Sequence, residues 1–128
     1  MLQDKSVLLV EDEPLVAILV EDMLAGLGAH VVGPAATFTE AVEIAQNARF
    51  DIAVLDVKLG QDNSSKVAEI LQQRRIPYVL ATGFDTPAQA SGKHVAPLLQ
   101  KPYLQDDLKR ALEAAFEQSH SAKLAAHT

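Results

Sequence analysis

The sequence predicts a three-layer α/β sandwich, a five-stranded parallel sheet covered by helices on both faces. Three observations predict it. Short apolar, often β-branched runs alternate five times with segments of helical period, the pattern of successive βα units. Neither a linker-like stretch nor an internal repeat interrupts the alternation, and 128 residues suit one domain. Hydrophobic residues make up 48% of the chain, too many for a disordered segment and enough for a core without covalent staples.

Taken in order, Lys5–Val10 (KSVLLV) is short, apolar and stops at acids, so it reads as a buried strand. Pro14 suits the first turn of a following helix, and Glu13 complements its dipole. Leu15, Leu19, Val20, Met23 and Leu24 recur at helical spacing and form its expected core face, and Gly26 and Gly28 end it. His30–Gly33 is a short second strand. Thr37-Phe-Thr-Glu40 is a capping box, with Phe38, Ala41, Val42 and Ala45 on the buried face of its helix. Asp51–Leu55 is a third strand that ends at Asp56. Gly60, Asp62 and Asn63 form a loop before a helix that buries Val67, Ile70 and Leu71. Pro77–Ala81 is the fourth strand and Ala96–Gln100 the fifth. The segment Phe84–Ala96 between them, with Pro87, Gly92 and no strong apolar face, is expected to hold a short or mobile helix. Leu104, Leu108, Leu112 and Phe116 stripe the last helix. Ser119–Thr128 lacks periodicity and is expected to be a flexible tail.

Composition excludes several functions. With no cysteine there is no disulfide, thiol catalysis or Cys-built metal centre. Eleven basic residues stand against 17 acidic ones, a net charge of −6, which disfavours nucleic acid as a partner. The longest apolar run, Leu15–Val20, falls far short of the ~20 residues of a membrane span. The N-terminus carries Asp4 where a signal peptide carries basic charge. The expectation is a cytoplasmic protein with no membrane partner. His30, His94, His120 and His127 are scattered without metal-ligand spacing. Gly26, Gly28 and Gly33 follow a helix and precede a strand, the wrong context for a dinucleotide loop.

In a parallel sheet of this kind, function gathers at the carboxyl ends of the strands. Here those ends carry Glu11-Asp12, Asp56, Thr82-Gly83 and Lys101-Pro102. Each has a plain reading when taken alone. Asp56 would be a turn former, Glu11-Asp12-Glu13 an acidic helix cap, Thr82 a strand-end hydroxyl and Lys101 a solvated lysine; Glu13, Asp51 and Asp62 keep that plain reading. Together they bring three carboxylates, a hydroxyl and an ammonium to one rim. Carboxylates that close repel unless a cation sits among them. Hard oxygen ligands suit Mg²⁺, a carboxylate can serve as nucleophile, and Mg²⁺ with a lysine can neutralise a transferring phosphoryl group.

The motifs VLLVEDEP (7–14), AVLDVKLG (53–60), LATGF (80–84) and QKPY (100–103) resemble the receiver domain of two-component response regulators. The match runs from Lys5 to about Glu117. AVLDVKLG and YVLATGF look most like single-domain receivers of alphaproteobacteria with a Phe-Ala-Thr-Gly motif, with Leu80 standing where that motif has Phe.

The resemblance implies a flavodoxin-like fold with strand order 2-1-3-4-5, a receiver domain over residues 1–118 and a flexible tail over 119–128. It implies that Asp56 accepts a phosphoryl group from a sensor histidine kinase. Glu11, Asp12 and Asp56 would hold Mg²⁺ with the backbone carbonyl of Lys58, while Thr82 and Lys101 contact the phosphoryl group. The Lys101–Pro102 peptide would be cis. Receivers commonly carry Tyr or Phe three residues before the lysine; Leu98 stands there, so the aromatic rotamer switch is not implied. Such a protein catalyses only its own phosphotransfer and dephosphorylation, and it signals to a downstream protein by contact. The sequence leaves that target and homodimer formation open. Two alternatives compete. A degenerate receiver would bind partners without phosphate, against which the intact Asp12, Asp56, Thr82 and Lys101 argue. A phosphatase with an aspartyl nucleophile would carry Asp-x-Asp, whereas Asp56-Val-Lys58 lacks the second acid.

Overall fold

The computed structural model describes residues 2–60, 62–83 and 96–126, with side chains described as far as Ser119. The strands are β1 (Ser6–Val10), β2 (His30–Ala35), β3 (Ile52–Asp56), β4 (Lys58–Leu59), β5 (Asp62–Asn63), β6 (Tyr78–Thr82) and β7 (Leu98–Gln100). The helices are α1 (Pro14–Gly26), α2 (Phe38–Asn47), α3 (Ser65–Gln73) and α4 (Gln105–Ala126). The main sheet has the order β2-β1-β3-β6-β7, all parallel. Numbering its five strands alone gives the expected 2-1-3-4-5 layout.

The central strands are apolar on both faces, as strands buried between two helical layers must be. Alternate residues feed two separate cores. Val7, Leu9, Ile52, Val54 and Val79 pack with Val20 and Leu24 of α1 and Leu108 and Leu112 of α4. Leu8, Val10, Ala53, Leu55 and Leu80 pack with Ala41 and Ala45 of α2 and Val67 and Leu71 of α3. The period of two along each strand sends successive side chains to opposite layers.

Caps and ties hold the helices. The Thr37 hydroxyl accepts from the Glu40 amide at 3.2 Å, the expected N-cap contact. At α4 the Asp107 carboxylate accepts from the Leu104 amide at 2.9 Å. Arg74, just past α3, donates to the carbonyls of Ala45 and Ala48 at the end of α2, and its guanidinium lies 5.4 Å from the Phe50 ring centre. This one side chain therefore fastens the end of α3 to the end of α2 by hydrogen bonds, and to the segment after α2 by a cation–π contact.

Four details differ from the sequence reading. In α1, Leu15 and Leu19 are exposed, at 78% and 58%, and Ala17 joins Val20 and Leu24 in the core. The run Leu15–Val20 is apolar around the whole helix, so spacing alone could not choose a face. The packed face includes a small residue, Ala17. Leu104 precedes α4 and is 73% exposed, leaving Leu108 and Leu112 as the buried stripe with Phe116 partly buried against it. Asp62 and Asn63, expected with Gly60 as a loop, form a short strand, β5, antiparallel to β4. Finally, α4 runs on through Ala126, where a tail from Ser119 was expected. Residues 121–126 (SAKLAA) hold no glycine or proline to stop a helix, and alanine, lysine and leucine favour one. Of the expected short or mobile helix over Phe84–Ala96, residues 84–95 lie outside the described residues.

Candidate functional site

Strand register builds the site. Val10 lies beside Leu55 in the β1–β3 pair, so Glu11, the next residue, comes level with Asp56 at the end of β3. Asp56 lies beside Ala81 in β6, one residue before Thr82. Thr82 in turn lies beside Gln100 of β7, one residue before Lys101. Parallel strands with this register end at one edge, and the four polar termini follow.

The side chains meet there. Lys101 Nζ lies 2.6 Å from Glu11 Oε1 and 3.1 Å from Asp56 Oδ2. Glu11, Asp12 and Asp56 each place a carboxylate oxygen within 4.8 Å of the others. Glu11 and Asp56 are buried at 3% and 7% exposure, and Asp12 is half-buried. The Gly60 amide donates to Asp12 Oδ2 at 2.9 Å. The second oxygen of Glu11 accepts from the Glu13 amide at 3.2 Å. Thr82, half-buried, accepts at its carbonyl from the Lys101 amide at 2.7 Å, which fixes the two strand ends together. The Lys101–Pro102 peptide is cis, and so is Gly33–Pro34. Lys58 stands on β4 two residues beyond Asp56, and Leu98 is half-exposed on β7.

Burial, reinforced by the charge of Glu11, pushes the Asp56 carboxyl up from 3.8 to about 7, against the opposing pull of Lys101. Burial works to lower the Lys101 ammonium, but its hydrogen bond to Glu11 and the charges of Asp56 and Glu11 outweigh it and hold the ammonium above its usual value. Tyr103, packed beside this edge, is pushed to about 12 by burial, with Lys101 opposing. One ammonium therefore does not balance the negative charge gathered here. A donor set of hard carboxylate oxygens with excess negative charge fits a small divalent cation such as Mg²⁺.

The structure thus brings together Glu11, Asp12, Asp56 and Lys101 in direct contact or near-contact, with Thr82 on the adjoining strand end and Lys58 on the following hairpin. Asp51 and Asp62, read as turn residues, are elsewhere. Asp51 accepts from the Ser6 amide at 2.8 Å, and Asp62 lies exposed on β5. The Gly60 amide is the contact that sequence reasoning missed. It is a backbone group, and residue type carries no signal for it beyond a glycine near a turn.

Comparison with known proteins agrees with this geometry. The family model for the response regulator receiver domain matches residues 7–113. The transcriptional regulatory protein PdtaR of Mycobacterium tuberculosis is 34% identical over 115 residues, 87% of this chain and 56% of that protein. The phyllosphere-induced regulator PhyR of Methylorubrum extorquens is 31% identical over 127 residues, 94% of this chain and 47% of that protein. The chain thus spans about half the length of these curated relatives. SdrG from Sphingomonas melonis, solved in solution, superimposes with a TM-score of 0.75 at 36% identity, covering 91% of this chain and 98% of SdrG. The receiver domain of the sensor histidine kinase PA1611 from Pseudomonas aeruginosa, which holds a magnesium ion in its active-site cleft, has a TM-score of 0.77 at 25% identity. There the match covers 88% of this chain and 97% of that one. With a family match over most of its length and a strand-end site of the corresponding composition, this chain belongs to the response regulator receiver domain family.

Proposed function

We propose that this domain is a phosphoacceptor in two-component signalling, taking a phosphoryl group from a sensor histidine kinase onto Asp56 and passing the signal to a downstream protein by contact. The observation that carries the proposal is the Lys101 ammonium bound to both Glu11 and Asp56 at the strand ends, with Asp12 completing a triad of close carboxylates. In this reading an Asp56 oxygen attacks phosphorus, the bond from phosphorus to the kinase imidazole breaks, and an acyl phosphate forms. Lys101 binds a phosphoryl oxygen, and Thr82 donates its hydroxyl to another. Glu11, Asp12 and Asp56, with the Lys58 carbonyl, would hold Mg²⁺, which when bound supplies positive charge for the phosphoryl oxygens. The magnesium in the PA1611 receiver supports that assignment. The domain turns over no separate substrate.

The test is incubation of the chain with Mg²⁺ and acetyl phosphate, followed by intact mass spectrometry. One added phosphoryl mass is expected in the wild type and none in Asp56→Asn. Equal labelling of that variant would overturn the assignment of Asp56. A wild type that no phosphodonor or kinase labels would leave a binding module that works without phosphate.

A further inference from the structure

Lys101 divides its ammonium between Glu11 and Asp56, so the third carboxylate, Asp12, is held by something else. Asp12 Oδ2 accepts from the Gly60 amide at 2.9 Å, across 48 positions of sequence. Gly60 directly follows β4, which pairs with β5, Lys58 with Asn63 and Leu59 with Asp62. Gly60 has φ +63°, in the left-handed region that glycine adopts without a steric penalty. A Cβ built on Gly60 meets nothing within 4 Å. Glycine is therefore favoured there by backbone conformation and not by lack of space.

A carboxylate beside two others is repelled outward and free to change rotamer. An amide bound to one of its oxygens holds the side chain in place and leaves the other oxygen for a cation, as outer partners do for metal ligands. We propose that the Gly60 amide is the positioning group for Asp12, so that the backbone conformation at Gly60 sets the affinity of the acidic triad for a divalent cation. This rests on reading Glu11, Asp12 and Asp56 as the Mg²⁺ site.

The test is calorimetric titration of the metal-free chain with MgCl₂, on the wild type and on Gly60→Asn, Gly60→Val and Asp12→Asn. Asparagine tolerates the left-handed conformation and a β-branched residue does not. Gly60→Val should weaken Mg²⁺ binding by about tenfold, the low end of the effect of losing an outer-shell partner. Gly60→Asn should stay within about twofold of the wild type, because it keeps the left-handed conformation. Should the valine variant fail to fold, Gly60→Ala carries the same test with a loss of about threefold. A second readout is hydrogen exchange at the Gly60 amide, which should quicken in Asp12→Ala because its acceptor is gone. Wild-type affinity in Gly60→Val or Gly60→Ala, with Mg²⁺ binding lost in Asp12→Asn, would overturn the positioning role and leave the metal site standing. Wild-type affinity in Asp12→Asn would overturn the metal reading and this proposal with it.

Discussion

Asp56 is a carboxyl group in a place that penalises its charge. It is 7% exposed, and Glu11 beside it is negative and 3% exposed. Lys101 relieves part of this, yet the group still titrates near 7 against an ordinary 3.8. Between those two values the folded chain holds a proton that the unfolded chain has released, so folding stability falls as pH rises through that window. The loss is complete above the folded value and absent below the unfolded one. At about 1.4 kcal/mol per unit, this is on the order of a few kcal/mol for the metal-free chain. Asp56→Asn removes the titrating group, so its urea midpoint without metal should exceed the wild type's at pH 8, with the gap closing as the pH falls toward 3.8. A wild-type midpoint that rises over this window relative to Asp56→Asn would contradict the direction of the shift.

At the scale of elements, α1 separates hydrophobicity from burial. Leu24 is fully buried in the core that α1 shares with β1 and α4, whereas Leu15 is 78% exposed. Leu24→Ala should cost about 2–5 kcal/mol, the range for removing a buried leucine and leaving a cavity. Leu15→Ala should change stability by no more than about 0.5 kcal/mol, as a surface substitution does. Equilibrium urea unfolding of both variants checks the contrast, and similar losses would put Leu15 in the core. The α3 element has an anchor of a different kind in Arg74, whose planar head donates to both Ala45 and Ala48. A lysine there could not make the same forked contact.

For the whole molecule, a cation held by the proposed triad of Glu11, Asp12 and Asp56 would couple its binding to folding, because the unfolded chain does not hold these groups together. Mg²⁺ at a hundredfold excess over its dissociation constant should add about 2.7 kcal/mol. For a domain of this size that corresponds to a rise in Tm of about 10 °C. Differential scanning calorimetry should find this rise in the wild type and its loss in Asp12→Asn. Equal rises in both would place the cation elsewhere.

The sequence by itself determined the layers and the identities at the rim. Its alternation of apolar runs and helical periods predicted five parallel strands, and the residues just past four of them, Glu11-Asp12, Asp56, Thr82 and Lys101, are the ones the sheet gathers. This was legible because strand ends in a parallel βα sheet share one edge whatever the details of packing. Packing decided the rest. Which face of α1 turns inward could not be read from a run apolar all round, and it fell to Ala17, Val20 and Leu24. The length of α4 depended on helix propensity past Ser119, where no apolar stripe marks it. The contact between Gly60 and Asp12 joins a backbone amide to a side chain 48 residues away. A period in the sequence reports which face of an element is apolar, whereas a single long-range hydrogen bond exists only once the strands have set the distance between its partners.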